Sequence, residues 1–164
     1  MSAIISPCGA YRYRLERDLG SPGLGSTAVI MVNPSTADAA ANDATIRKLI
    51  GFSARNDWGR IIVGNLFALR ATDVRELGKV ADPVGPLNDH HLNVIFQQVD
   101  RVVFAWGPVT KQPKQHRARW RHVARMATSL GHTPLSIGAP AKCGQPRHPL
   151  MLAYAEPIQD WKPS

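Results

Sequence analysis

The sequence of 164 residues has only two cysteines, Cys8 and Cys143, which lie far apart in the chain. Such a pair favours free thiols in a reducing compartment over a disulfide framework, and it supplies too few thiolates for an iron–sulfur cluster. No apolar run approaches the roughly 20 residues that span a bilayer, and no secretory signal begins the chain. We therefore expect a cytoplasmic protein without a membrane segment, a metal or a cofactor.

The motifs of several enzyme classes are also missing. There is no GxxxxGK[ST] phosphate loop, which argues against an NTPase, and no spaced set of His, Cys and carboxylate residues that would indicate a metal site. There is no Gly-x-Ser-x-Gly elbow, so only its residue type supports Ser35 as a nucleophile. His90 and His91 are expected on different faces of a helix rather than as a metal pair.

Acidic residues are absent from one long stretch, between positions 101 and 155, although the whole chain carries a net charge of +8. A one-sided basic surface suits a polyanion, because contacts with phosphates release counterions. The stretch therefore favours DNA or a nucleotide as partner, against the alternative of an ordinary solvated face. Its cations are Arg101, Lys111, Lys114, Arg117, Arg119, Arg121, Arg125, Lys142 and Arg147.

The apolar patterning predicts a single α/β domain over residues 1–164, long enough for a sizeable core. Apolar runs at 28–32, 61–67, 102–107 and 133–137 predict buried strands. Helical patterns separate them, with starts near Asn42-Asp43, near Asn88 and about Gln115. This alternation predicts a three-layer α/β/α sandwich around a central, mostly parallel four-stranded sheet. Residues 11–19 are typical of an edge strand or hairpin, and residues 21–25 break the chain before the first buried strand.

Polar side chains follow the predicted strands, and these are the candidate site. Asn33 and Ser35 follow the first strand, Asn65 ends the second, and His148 lies in the last loop. Ligands of open α/β sheets bind beyond the carboxyl ends of the strands. Taken singly, each residue has an ordinary explanation: Asn33 as a turn residue before Pro34, Asn65 as a partner of buried backbone, and His148 as a structural histidine.

Motifs along nearly the whole chain identify it as similar to a bacterial and phage family, domain of unknown function 1643. They are NPSTAD, NLFALRATD, DPVGPLND, FAWG and a closing HPL. That family name implies no chemistry.

The order of motifs also resembles, more distantly, the uracil-DNA glycosylase superfamily. This resemblance implies that superfamily's four-stranded parallel fold and two catalytic residues: Asn33, which would position the attacking water, and His148, which would stabilise the negative charge on the leaving base. It implies substrate binding by Pro34, Ser35 and Asn65, the last reading the flipped base. Phe67 is a candidate stacking platform, or else a core residue.

Departures from that superfamily refine the expectation. Ser35 and Thr36 are small where the uracil-specific branch has a bulky aromatic, which leaves room for a pyrimidine substituted at carbon 5. The Ser-Pro expected after His148-Pro149 is replaced by Leu150-Met151, and the iron–sulfur cysteines are missing. Because an amide orients water but cannot take its proton, Asn33 in place of a carboxylate predicts slow turnover.

Three hypotheses therefore stay open. The first is a DNA base N-glycosylase acting on a modified or damaged pyrimidine. The second is a hydrolase or transferase acting on free nucleotides or nucleosides, and the third is a non-catalytic nucleic-acid-binding protein. An apolar wedge commonly assists base extrusion, and residues 150–152 are either that wedge or core. The expected DNA-binding residues are Lys114, Arg117, Arg119, Arg121 and Arg147.

Overall fold

The structure, a computed structural model, describes residues 1–20 and 25–163, so most of the predicted break at 21–25 lies outside the described residues. Within these ranges the protein has an α/β fold with one seven-stranded mixed sheet and three α-helices. The strands are β1 (Ser2–Ile5), β2 (Arg12–Asp18), β3 (Ser26–Met31), β4 (Arg60–Asn65), β5 (Arg101–Phe104), β6 (Leu135–Ile137) and β7 (Ile158–Asp160). The helices are α1 (Ala44–Asn56), α2 (Asn88–Gln98) and α3 (Arg119–Ser129).

The strands lie in the order β1-β2-β4-β3-β5-β6-β7. The four predicted strands are its centre, and β4, β3, β5 and β6 are parallel to one another. A four-stranded sheet was nevertheless too small a prediction. An N-terminal hairpin adds β1 and β2, with β2 antiparallel to β4, and β7 pairs antiparallel with β6. The strand β7 was missed because its three residues, IQD, carry no apolar run.

Helices cover both faces of the sheet, and the residues of β3 are therefore buried on both sides. Ala28 and Ile30 belong to one core cluster, which includes the apolar faces of α2 and α3. Val29 and Met31 belong to a second cluster, which includes the apolar face of α1. The predicted layering of helices on both faces of the sheet is confirmed, although the sheet itself is wider.

The helix boundaries agree in part with the prediction. Asp43 caps α1 as expected, and its side chain accepts from the Ile46 amide at 2.9 Å. The predicted start near Asn88 is confirmed, since α2 begins there, although the position before it, Leu87, makes no side-chain cap bond. The helix α3 begins at Arg119 rather than near Gln115. A separate 3₁₀ turn at Lys114–His116 precedes it, anchored by a 3.1 Å hydrogen bond between His116 Nε2 and the Leu77 carbonyl.

Among the described residues, no helix is long and apolar enough to cross a membrane. Within the same ranges, no cluster of three or more His, Cys, Asp or Glu side chains could hold a metal ion. Cys8 and Cys143 are both exposed free thiols.

Candidate functional site

A cavity of about 470 Å³ opens beyond the carboxyl ends of the parallel strands. Four of the predicted site residues line it together: Asn33, Ser35, Asn65 and His148. The other two predicted substrate-binding residues, Pro34 and Phe67, are buried and do not line this cavity. Phe67 is only 1% exposed and packs in the core with its ring edge-on to His116, 5.5 Å between centroids. It therefore presents no face on which a base could stack.

Backbone hydrogen bonds tie the loops after β3 and β4 together at the cavity. The amide of Phe67 donates to the Val32 carbonyl at 2.9 Å, and the amide of Ala71 donates to the Pro34 carbonyl at 2.9 Å. Asn33 joins the same network, since its Nδ2 donates to the carbonyls of Ala71 at 2.7 Å and Pro34 at 3.1 Å. Both loop carbonyls thus fix the amide nitrogen of Asn33, and its Oδ1 is the acceptor left for a ligand.

Asn65 is 2% exposed, and its buried Nδ2 has no hydrogen-bond partner among the described residues. Leaving a buried amide unpaired costs about 1–3 kcal/mol. The backbone carbonyl of Asn65, in contrast, accepts from Nδ2 of Asn88 at 3.0 Å, and the same nitrogen donates to the Leu66 carbonyl at 3.2 Å. Asn88 therefore holds the end of β4 in place, while the Asn65 side chain in the cavity keeps its hydrogen-bonding capacity.

His148 has a defined tautomer, because its Nδ1 accepts from the backbone amide of Leu150 at 3.2 Å. In the neutral ring the proton then lies on Nε2, which makes Nε2 a donor. Burial and the nearby charge of Lys111 both lower the pKa of His148. The neutral form, with one donor nitrogen, is therefore favoured at neutral pH.

Gly107 is the residue that lets the loop after β5 approach His148. Its φ is +77°, its amide donates to the Pro146 carbonyl at 3.0 Å, and a Cβ added to it would lie 3.4 Å from the Cβ of His148. The sequence FAWG thus ends in glycine for a conformational reason, since a left-handed φ costs other residues about 1–2 kcal/mol.

We expect Gly107→Ala to lower both stability, by about 1–2 kcal/mol, and any turnover that depends on the placement of His148. Gly131→Ala is the matched control, because Gly131 has a φ of +87° but no atom within 4 Å of an added Cβ. Thermal unfolding and turnover of both variants check this. Equal turnover of the two variants would contradict a role for Gly107 in placing His148.

Sequence reasoning missed four charged residues that line the cavity, Arg12, Asp43, Asp73 and Arg75. Asp43 was predicted only as a helix cap, yet it caps α1 and faces the cavity. Asp73 begins the 3₁₀ helix Val74–Gly78 and pairs with Arg75, whose hydrogen bonds lower the pKa of Asp73 to about 2. Arg12 comes from β2, and only the antiparallel pairing of β2 with β4 brings it near the site.

Several of the predicted DNA-binding residues have partners within the protein. Arg119 donates to the Leu66 carbonyl at 3.0 Å and pairs with Asp89. Arg147 pairs with Glu156 at 3.0 Å, and Arg117 donates to two loop carbonyls. Most of these arginines therefore have structural partners, although each was predicted from the acid-free stretch as a free cation.

Two surface depressions are lined by several cations each. A groove beside the cavity, which we call the basic groove, is lined by Arg75, Lys79, Lys111, Lys114 and Arg117. It shares Arg75 with the cavity. Arg121 and Arg125 instead line a separate depression with Trp120 and Trp161, where the Arg121 guanidinium lies 5.0 Å from the Trp120 ring centroid.

The three residues of the candidate wedge, 150–152, differ in their exposure. Leu150 is 42% exposed and Met151 is 88% exposed, two and three residues after His148, whereas Leu152 is buried against α1. Two of the three side chains are thus at the surface beside the site, and the third is core.

The fold and this cavity define an α/β protein whose candidate site lies at the carboxyl ends of parallel strands. The chain belongs to the family described as Protein of unknown function (DUF1643), whose profile matches residues 12–150. No curated protein and no solved structure matches the chain. These comparisons give no support to a link with the uracil-DNA glycosylase superfamily.

Proposed function

We propose that this protein is a base N-glycosylase-like hydrolase with a fold related to the uracil-DNA glycosylase superfamily, acting on a modified or damaged pyrimidine in DNA. One observation carries the proposal. Asn33, Asn65 and His148 are far apart in the chain, yet they line one cavity whose size suits a nucleobase and part of its sugar.

The attacking group in this reaction is water. As water bonds to the anomeric carbon of the sugar, the bond between that carbon and the base nitrogen breaks, and its electron pair leaves with the base. The Oδ1 of Asn33 is suited to accept one hydrogen bond from this water, but an amide cannot take its proton. Asp43 lines the same cavity and carries a carboxylate, so we assign proton acceptance to Asp43.

The leaving base gains negative charge, which a preorganised donor stabilises. His148 Nε2 has that role in the proposal, because Nδ1 is occupied by Leu150 and the ring is neutral. The unpaired amide of Asn65 offers one donor and one acceptor for the edge of a base. This pair suits a pyrimidine, which presents adjacent carbonyl and ring-nitrogen groups.

The proposal that the pyrimidine carries a substituent at carbon 5 is based on the small residues of the loop after β3. Ser35 lines the cavity, and the exposed Thr36 follows it. Neither side chain fills the space that a bulky aromatic would occupy. A pyrimidine with a substituent at carbon 5 is therefore the substrate that we propose.

A nucleic-acid strand would bind along the basic groove, which adjoins the cavity at Arg75. Extruding a base costs a few kcal/mol, and side chains inserted into the base stack commonly offset this cost. Leu150 and Met151 are exposed beside His148 and suit that role.

A second candidate is a hydrolase or transferase that acts on free nucleotides or nucleosides. The observation that favours it is the structural pairing of Arg119 and Arg147, which leaves fewer free cations for a long strand than the sequence predicted. A non-catalytic nucleic-acid-binding protein is the third candidate. It would need the basic groove but not the donor set of the cavity.

The experiment that separates these candidates uses a panel of altered pyrimidines, each presented in an oligonucleotide and as the free nucleoside and nucleotide. Alkali-labile abasic sites together with released free base would support the DNA glycosylase. Base release from the small substrates alone would support the second candidate. Binding of the oligonucleotides without any released base would overturn the proposed activity.

We expect the Lys111→Gln/Lys114→Gln double variant to bind oligonucleotides more weakly, because it removes two cations from the basic groove. The slope of log affinity against log salt should fall by about 1.8 for two lost duplex phosphate contacts. The control is Arg121→Gln/Arg125→Gln, which removes two exposed cations from the other depression. Fluorescence anisotropy over a salt series measures both, and equal losses would contradict binding along the basic groove.

A further inference from the structure

One cation in the cavity is buried and incompletely paired. Arg12 is 3% exposed, and its guanidinium donates through Nη1 to the Ala37 carbonyl. Its Nε, also buried, has no partner among the described residues. Arg12 thus brings a positive charge with an unused hydrogen-bond donor to the wall of the cavity.

The other buried arginines of β2 differ from Arg12 in this respect. Arg14 pairs with Glu16. Arg17 is 1% exposed and donates to Asn42 Oδ1 and to the carbonyls of Asp38, Ala41 and Glu16. Arg14 therefore has a carboxylate partner and Arg17 has a partner for each side-chain nitrogen, whereas Arg12, which lines the cavity, has one carbonyl partner.

The charges around Arg12 do not complete its pairing. Asp43 and Asp38 attract it and Arg70 and Arg17 repel it, but no carboxylate among the described residues forms an ion pair with it. Burial lowers the pKa of Arg12 to about 10, so the group stays charged at neutral pH. A buried charge without a counter-ion is costly, and a bound anion would offset that cost by supplying the missing partner.

We propose that Arg12 binds a phosphate group of the substrate, so that the cavity takes a phosphorylated nucleoside unit rather than a bare nucleoside. The inference rests on the proposed function for the identity of the attached base. The planar fork of arginine matches two phosphate oxygens. The basic groove shares Arg75 with the cavity and adds Lys111, Lys114 and Arg117, which suit further phosphates of a strand.

Two sources supply the same chemistry: the monoester of a free nucleotide and the diester of a nucleic-acid strand. The test therefore compares inorganic phosphate, acetate at equal ionic strength, thymidine, thymidine 5′-monophosphate and a short thymidine oligonucleotide, using isothermal titration calorimetry. Thymidine is chosen because it carries a substituent at carbon 5.

The variant is Arg12→Gln, and the matched control is Arg17→Gln, which removes another buried arginine of β2 that holds the same loop but does not line the cavity. We expect Arg12→Gln to lower affinity for phosphate and for the monophosphate roughly 10- to 100-fold, while affinity for thymidine stays unchanged. Arg17→Gln should keep the affinity for phosphate. Arg12→Lys, which keeps the charge without the fork, should give an intermediate affinity.

Arg12 also holds the Ala37 carbonyl, so a measurement on the unaltered protein accompanies the variants. The Nε–H resonance of Arg12 should shift on addition of phosphate and not of acetate. Absence of this shift, or equal affinity of Arg12→Gln and Arg17→Gln for phosphate, would overturn the phosphate site. Binding of the monophosphate but not the oligonucleotide would assign the monoester, and the reverse would assign the strand.

The failure of this inference is distinguishable from the failure of the proposed function. Inorganic phosphate binds without any glycosidic bond to break, so a phosphate site can be found in a protein that releases no base. Base release from the panel of altered pyrimidines without any phosphate effect would sustain the proposed function and overturn the role of Arg12.

Discussion

Replacing His148 with glutamine is expected to lower the rate of base release about 100- to 1,000-fold, the usual cost of removing one preorganised donor from a developing anion. Substrate affinity should change little, because the donor acts mainly when the base departs with its electron pair. Single-turnover base release and equilibrium binding separate these two effects. His122→Gln is the control, since His122 contacts Asp89 outside the cavity.

The same role predicts a pH dependence. The hydrogen bond from Leu150 to Nδ1 requires an unprotonated Nδ1, and burial together with Lys111 lowers the pKa of His148. The active neutral ring is therefore present at neutral pH and is lost as the pH falls through the lowered pKa, which lies below the ordinary histidine value of about 6.5.

Lys111→Gln should move this acid limb upward in pH, because it removes a charge that opposes protonation of His148. The sign for stability is the same. A histidine that binds its proton less readily when folded makes the protein less stable as the pH falls through its titration range. An acid limb that is unaffected by both His148→Gln and Lys111→Gln would show that another group titrates.

The central sheet could be predicted from the sequence because its strands are buried on both faces. Such strands appear as unbroken apolar runs, and β3 and β4 are examples. The outer strands were predicted only in part: residues 11–19 were identified as an edge strand or hairpin, where the structure has β2 in a hairpin with β1, but β1 and β7 were missed. The strand β2 alternates apolar and charged residues, which is typical of a solvated edge, yet Arg12, Arg14 and Arg17 are all buried. The burial of Arg17, for example, depends on partners more than 20 positions away, such as Asn42.

The candidate site was predictable to the extent that it follows strand ends. Asn33 and Asn65 come directly after apolar runs, so their meeting at one edge followed from the parallel topology alone. Arg12 had no such signal, because it belongs to an antiparallel strand whose place in the sheet depends on long-range pairing. Asp43 was predicted as a helix cap, which is correct, but its sequence position gave no sign that it also lines the cavity. Local patterns therefore identified the residues at strand ends but not those brought to the cavity by tertiary packing.

Replacing Asn65 with leucine, a side chain of similar size, is expected to weaken base binding by roughly 10- to 100-fold. Stability should stay unchanged or rise by about 1 kcal/mol, because the substitution removes a buried amide that has no protein partner. A residue that costs stability and contributes only to ligand binding is typical of a functional site. Chemical denaturation and calorimetric titration of the same preparation measure both quantities.

Asn88→Leu is the matched control, since Asn88 is an equally buried asparagine at the same strand end. Its Nδ2 donates to the carbonyls of Asn65 and Leu66, so its loss removes both hydrogen bonds, and of these two acceptors the Leu66 carbonyl still has Arg119 Nε as a donor. We expect Asn88→Leu to destabilise the protein by about 1–3 kcal/mol. The two asparagines thus have opposite expected effects on stability, because Nδ2 of Asn88 donates to the protein backbone and Nδ2 of Asn65 has no partner, although Oδ1 of Asn88 is also unpaired among the described residues. If Asn65→Leu destabilised the protein as much as Asn88→Leu, the Asn65 side chain would be structural, and the cavity would lose the group proposed to recognise the base.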